Sequence, residues 1–187
     1  KPFGELLALL GESFVSNRAL LLFALTLPAI GLLERAGLRE HVRRWILRMR
    51  GMTLARLLIG YLGLRQLLGM IGLTNVAGHA QTVRPLLAPM SEAAAEKTLG
   101  PVDEKTRQRI LALDAATDNV GLFFGEDVFV ALGAVLLIQG FYAQNGIVLE
   151  PLQIALWALP TAVAAFVIHA VRIALFQRAL QRARSDA

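Results

Sequence analysis

Apolar residues run through this chain in blocks, and the polar residues fall between and inside them in ways that define its elements. Phe3–Phe14 reads as an apolar helix too short to cross a bilayer, which takes about 20 residues. Its two carboxyls, Glu5 and Glu12, stand two turns apart, and Ser13, Ser16 and Asn17 supply a break and a cap before the next helix. Ala19–Leu33 is strongly apolar and is the first expected span, kinked at Pro28, where an internal hydrogen bond is lost. Glu34–Arg50 changes character. Val42, Trp45, Ile46 and Met49 recur at helical spacing among six arginines, which predicts an amphipathic helix on the cytoplasmic leaflet.

Met52–Ile71 is again apolar. It either crosses fully or forms a re-entrant hairpin turning near Gly60–Gly63. Leu73–Met90 is membrane-like but interrupted, and Ser91–Arg109 is polar and mixed in charge, a surface loop or short helix. Ile110–Phe141 is a long apolar run with a polar cluster inside it. Asn145-Gly146 marks a turn in a stretch without Lys or Arg, and Leu152–Phe176 is a clear span with Pro160 near its middle. The fold class expected is all-α: a polytopic membrane protein with broken or re-entrant helices and a basic amphipathic cytoplasmic helix.

Composition strengthens this. Of 187 residues, 56% are hydrophobic and only 18% are Asp, Glu, Lys or Arg. Soluble domains carry roughly 25%. Mean hydropathy is +0.56. The formal net charge of +5 would suit a nucleic-acid binder. Here the cations sit at helix ends and in short loops, the pattern of positive-inside orientation, so no nucleic-acid partner is expected. Glu34–Arg50, Ser91–Arg109 and the C-terminal arginines then lie inside, and the Gly72 turn and Ala143–Pro151 outside. That arrangement requires complete crossings by Met52–Ile71, Leu73–Met90, the region around Phe124–Gly140, and Leu152–Phe176. The chain has no cysteine, which excludes disulfides and thiolate metal sites. The start at Lys1-Pro2 suggests a single transmembrane domain, residues 1–187, lacking earlier N-terminal membrane sequence.

Two polar clusters interrupt the apolar runs. Ionisable residues at membrane depth are expensive and mark functional sites or satisfied pairs. In the first, Thr74, Asn75, His79, Gln81, Thr82 and Arg84 lie between Gly72 and Gly78 on one side and Pro85 and Pro89 on the other. Broken backbone must face protein, water or substrate, not lipid. Thr74 and Asn75 offer oxygens to a cation or donors to a carboxylate. His79 suits a proton or a carboxylate. Arg84 offers a planar fork for two parallel hydrogen bonds, or pairs with Asp118 or Glu126. The second cluster is Thr117, Asp118, Asn119, Glu126 and Asp127. Adjacent acids repel unless a cation, a proton or a basic side chain compensates.

The substrate-binding candidates are therefore Thr74, Asn75, His79, Gln81, Arg84 and Asn119. The coupling-ion or proton candidates are Asn75, Asp118, Glu126 and Asp127. Thr74-Asn75-Val76 echoes Asp118-Asn119-Val120, as expected of broken segments meeting at one site. No phosphate loop, zinc spacing or serine elbow is present, so neither an enzyme nor a resident metal or organic cofactor is expected.

At TLPAIGLLERAGL, GLTNVAGHAQTVRPLLAPM, ATDNVGLFFGEDVFVALGAVLLIQGF and LEPLQIALWALPTA the chain resembles a bacterial membrane family, domain-of-unknown-function family 969. The resemblance covers about Leu20 to His169. It implies one half of a two-subunit 5-oxoproline permease, with a partner from family 979 and a distant relation to the ion-transporter superfamily. It implies a multi-pass protein of the bacterial inner membrane with a cytoplasmic C-terminus. Thr74, Asn75 and His79 correspond to one broken region, and Asp118 and Asn119 to the other. The function expected is a secondary transporter subunit for a small organic anion, with sodium ion or protons as the coupling ion. The alternative is a structural or regulatory membrane subunit that stabilises a partner permease.

Overall fold

The computed structural model describes residues 2–16, 28–29, 31–33, 35–76, 79–129 and 133–185. Most of the expected first span, and the kink expected there, lie outside these residues. Every regular element among the described residues is helical. They are α1 (Phe3–Ser16), α2 (Leu38–Arg48), α3 (Leu54–Met70), a π-helical segment (His79–Leu87), α4 (Ala88–Leu99), α5 (Glu104–Glu126), α6 (Gly133–Gln144), α7 (Pro151–Leu156) and α8 (Leu159–Ser185).

The boundaries follow from local chemistry. Thr53 caps α3, its hydroxyl accepting from the Arg56 N–H at 3.4 Å. Asp103 caps α5 in the same way, accepting from Thr106, and these bonds hold its carboxyl below the usual carboxylate range. At the other end of α3, Gly72 takes φ +79°. The Leu73 N–H reaches the Leu68 carbonyl at 2.8 Å and the Gly72 N–H reaches Gly69 at 2.9 Å. This is the Schellman arrangement, closed by two buried leucines, Leu68 and Leu73.

Met52–Ile71 is thus one continuous helix from Leu54 to Met70, and the re-entrant turn near Gly60–Gly63 does not form. The glycines there serve packing instead: Gly63 meets the Phe166 ring and Gly60 the Met49 side chain. Ser91–Arg109 also departs from a surface segment, since Ser91, Ala94 and Ala95 of α4 are buried. Pro160 does not interrupt a helix. It is the second residue of α8, just after the turn at Trp157–Ala158. α2 forms as expected, but its apolar stripe divides, with Val42 in the core and Trp45 half exposed.

Contacts fix the directions of the central helices. Tyr61 meets Asp118, Gln66 meets Gly125, and Gly72 meets Phe129, so α3 and α5 run parallel. Gln66 bonds Ala162 and Ala55 bonds Gln177, so α8 runs antiparallel to α3. Ser91 meets Asp114 and Glu92 meets Arg107, so α4 is antiparallel to α5. The core lies among these four helices, the π-helical segment and α2.

Pro151–Arg184, through α7 and α8, is a 34-residue stretch that contains an 18-residue window of mean hydropathy 2.0. Among the described residues it is the one helix long and apolar enough to cross a membrane. Val163, Val167, Ile168, Val171 and Leu175 on it are exposed. α3, at 17 residues, extends about 26 Å at 1.5 Å per residue. That is slightly under a hydrocarbon core of about 30 Å. Apolar side chains are also exposed on α1, at Phe3 and Leu10, and on α6, at Leu137 and Phe141.

Candidate functional site

The buried face of α5 explains why polar groups gather where they do. Ile110, Leu113, Asp114, Thr117, Asp118, Gly121 and Gly125 recur every three or four residues and are buried together. On an amphipathic helix this stripe is ordinarily apolar. Here its middle is polar and its end is glycine, which lets α3 approach closely.

Asp118 is the centre. Its Oδ1 accepts from Arg65 Nε at 2.8 Å and from the Tyr61 hydroxyl at 2.8 Å, both buried. Arg65 Nη1 also donates to the Thr74 carbonyl at 2.7 Å, joining the ion pair to the turn that follows α3. Arg65 is 1% exposed and Asp118 2%, so neither charge is balanced by water. A buried pair persists when its partners satisfy one another and further hydrogen bonds fill the remaining sites. Tyr61 and Thr74 supply those bonds.

Two further polar contacts sit on the same helix. Asp114 Oδ1 accepts from the Ser91 hydroxyl at 2.8 Å. Thr117 gives its hydroxyl proton to the Leu113 carbonyl at 2.7 Å and lies 3.0 Å from His169 Nε2. A hydroxyl has one proton to donate. Thr117 therefore accepts from His169, which fixes the imidazole proton on Nε2. Gln66 completes the set by donating to the Ala162 carbonyl at 2.8 Å, tying α3 to α8.

The candidate residues divide. Asp118 is the centre of the network, and Thr74 joins it through its backbone. Asn75 is exposed just beyond it. Asn119 is exposed on α5, away from its neighbour Asp118. Glu126 and Asp127 are half-buried at the C-terminus of α5, beside the Gly125–Gln66 contact. Arg84 is exposed on the π-helical segment. Its expected pairing with Asp118 is replaced by Arg65, which reaches Asp118 from the adjoining parallel helix. The side chains of His79 and Gln81 lie outside the described residues, while Thr82 is buried.

The important omissions from the sequence reading are Tyr61 and Arg65 on α3, and Asp114 with its partner Ser91. A signal for Tyr61, Arg65 and Asp114, though not for Ser91, existed. Tyr61 and Arg65 are four residues apart, as are Asp114 and Asp118, so each pair lies on one helix face. Among the described residues, no three His, Asp or Glu side chains gather as a metal site.

Among the described residues, the class so defined is all-α, with one membrane-length apolar helix and a buried ion pair between two parallel helices. Residues 1–181 match the family described as Protein of unknown function (DUF969), and the chain belongs to that family. No curated protein and no solved structure matches it.

Proposed function

We propose that this chain is one half of a two-subunit secondary transporter for a small organic anion, with 5-oxoproline as the first substrate to test. The observation that carries the reading is the buried Arg65–Asp118 pair and its bond to the Thr74 carbonyl. A charge pair enclosed in so apolar a chain suits a site whose occupancy changes during a transport cycle. Cation or proton binding at Asp118 would weaken its hold on Arg65. Arg65 is the donor that secures the turn carrying Thr74 and Asn75. Coupling-ion binding and rearrangement of the substrate break are thereby linked through one side chain. Arg84 and His79 would compensate the substrate carboxylate, and Asn75 would orient it. Glu126 and Asp127, at the end of α5, would face the same aqueous entrance.

The helix directions support a multi-pass protein of the bacterial inner membrane. The starts of α3 and α5 and the end of α8 share one end of the bundle. Arg56, Arg107, Arg109, Arg178, Arg182 and Arg184 belong to that end, and Arg184 bonds the Thr98 carbonyl at 2.6 Å. A basic end of this kind is cytoplasmic by the positive-inside rule, which puts the C-terminus inside. Lipid would cover the exposed apolar residues of α8.

One observation favours a second reading. Arg65 and Asp118 already satisfy each other, as in a pair that only fixes helix packing. The chain would then be a structural or regulatory subunit that stabilises a partner permease. Reconstitution separates the two. Gradient-driven uptake of 5-oxoproline that needs both this chain and a family 979 subunit favours transport. A partner that transports alone, and merely survives longer with this chain, favours the second reading.

A further inference from the structure

Asp114 and Asp118 stand one turn apart on the same buried face of α5, yet their surroundings differ. Asp118 has an arginine and a tyrosine hydroxyl on Oδ1. Asp114 is 0% exposed, Oδ1 receives one neutral hydroxyl from Ser91, and Oδ2 has no hydrogen-bond partner among the described residues. An ionised carboxylate in the interior loses several kcal/mol of hydration, more than one serine returns. A neutral carboxyl loses far less.

The charged groups around Asp114 do not supply what is missing. α4 presents Glu92, itself acidic and engaged with Arg107 at 3.1 Å. α3 presents Tyr61 and Arg65, both committed to Asp118. α8 presents His169, held by Thr117, with Arg172 close by on the same helix and itself exposed. Arg84 of the π-helical segment is exposed.

A cavity opens nearby nevertheless. It measures about 310 Å³, lies between the start of α5 and α4, and is lined by Glu92, Glu96, Glu104, Arg107 and Ile110. Glu92 is the neighbour of Ser91, and Ile110 is one turn before Asp114. A buried polar atom without a partner calls for an explanation. Here it lies one helical turn from an acid-lined cavity.

We propose that Asp114, with Ser91, is a proton-binding site distinct from the Arg65–Asp118 pair. The proton resides on Oδ2 while Oδ1 accepts from Ser91, and it exchanges with water through the Glu92 cavity. Where the transporter reading holds, this proton is bound in addition to the coupling ion at Asp118, and that part alone rests on that reading.

Infrared spectroscopy of the full-length protein in lipid tests the site without requiring transport. The carbonyl stretch of a protonated carboxylic acid is followed through a pH titration. Wild type should show a band that fades as pH rises. Asp114→Asn should lack it and Asp118→Asn should keep it. Ser91→Ala should shift its frequency without abolishing it, which guards against a variant that merely misfolds. A band that survives in Asp114→Asn, or its absence from wild type at every pH, overturns the proposal. Loss of the band on adding sodium at constant pH also overturns it, and assigns Asp114 to a cation instead. A band that behaves as expected in a protein that transports nothing keeps the proton site and removes the transporter reading.

Discussion

Gly125 lies against Gln66 so closely that a Cβ at position 125 would sit 2.5 Å from the Gln66 carbonyl oxygen. Backbone meets backbone there, so no side chain can turn aside to make room. Gly125→Ala must push α3 and α5 apart, and overpacking of this kind costs about 1–3 kcal/mol. Gly140→Ala is the control, since a Cβ there would meet no described residue beyond its own helix backbone within 4 Å. A helix interior gains roughly 0.5–1 kcal/mol from such a change. Reversible unfolding in mixed micelles should move in opposite directions for the two variants.

The same seam makes the Arg65–Asp118 pair testable by a double-mutant cycle. Asp118→Leu alone leaves a buried guanidinium without its counter-ion, and breaking such a pair costs about 3–5 kcal/mol. Arg65→Met alone leaves a buried carboxylate. The double variant removes both charges and should be more stable than either single one. Unfolding free energies that simply add would mean that the charges do not interact as the 2.8 Å contact requires.

Thr117 gives a finer test. Thr117→Val keeps the shape but leaves the His169 N–H without an acceptor, a loss of about 1–3 kcal/mol for a buried donor. Thr117→Ser retains the hydroxyl and should lose clearly less. A larger loss in Thr117→Ser than in Thr117→Val would show that packing of the γ-methyl dominates, not the 3.0 Å bond to His169.

Arg84 separates function from folding. It is exposed, so Arg84→Ala should change stability by no more than about 0.5 kcal/mol. On the transporter reading the same variant loses anion uptake, measured in vesicles at matched protein content. Unaltered uptake would remove Arg84 from the substrate site.

How much was legible in advance follows from the range of each signal. Some local signals read correctly, but the break expected at Asp118-Asn119 does not form, because α5 runs unbroken from Glu104 to Glu126. The Asn145-Gly146 turn has Gly146 at φ +77°, and α8 covers most of the apolar stretch Leu152–Phe176. The importance of Asp118 was visible as a carboxylate inside an apolar run. Its partner was not, because Arg65 is 53 positions away and only the parallel packing of α3 on α5 unites them. Arg84 was the nearer choice within a polar motif, but its helical segment leaves it exposed. Ser91 opened what read as a polar surface segment, so its burial against Asp114 had no local sign. The stripe from Asp114 through Thr117, Asp118 and Gly121 to Gly125 was the missed regularity, a helical period written in polar and small residues.

The central claim is that the chain and its partner move a small anion through the site linked by Asp118 and the Thr74–Asn75 turn. The most direct measurement is uptake of radiolabelled 5-oxoproline into proteoliposomes holding the full-length protein and a family 979 subunit, under imposed sodium or proton gradients. Wild type is compared with Asn75→Ala and with Asp118→Asn, each shown to be folded. The account predicts gradient-dependent uptake in wild type and its loss in both variants. Uptake unchanged in the two folded variants would contradict it.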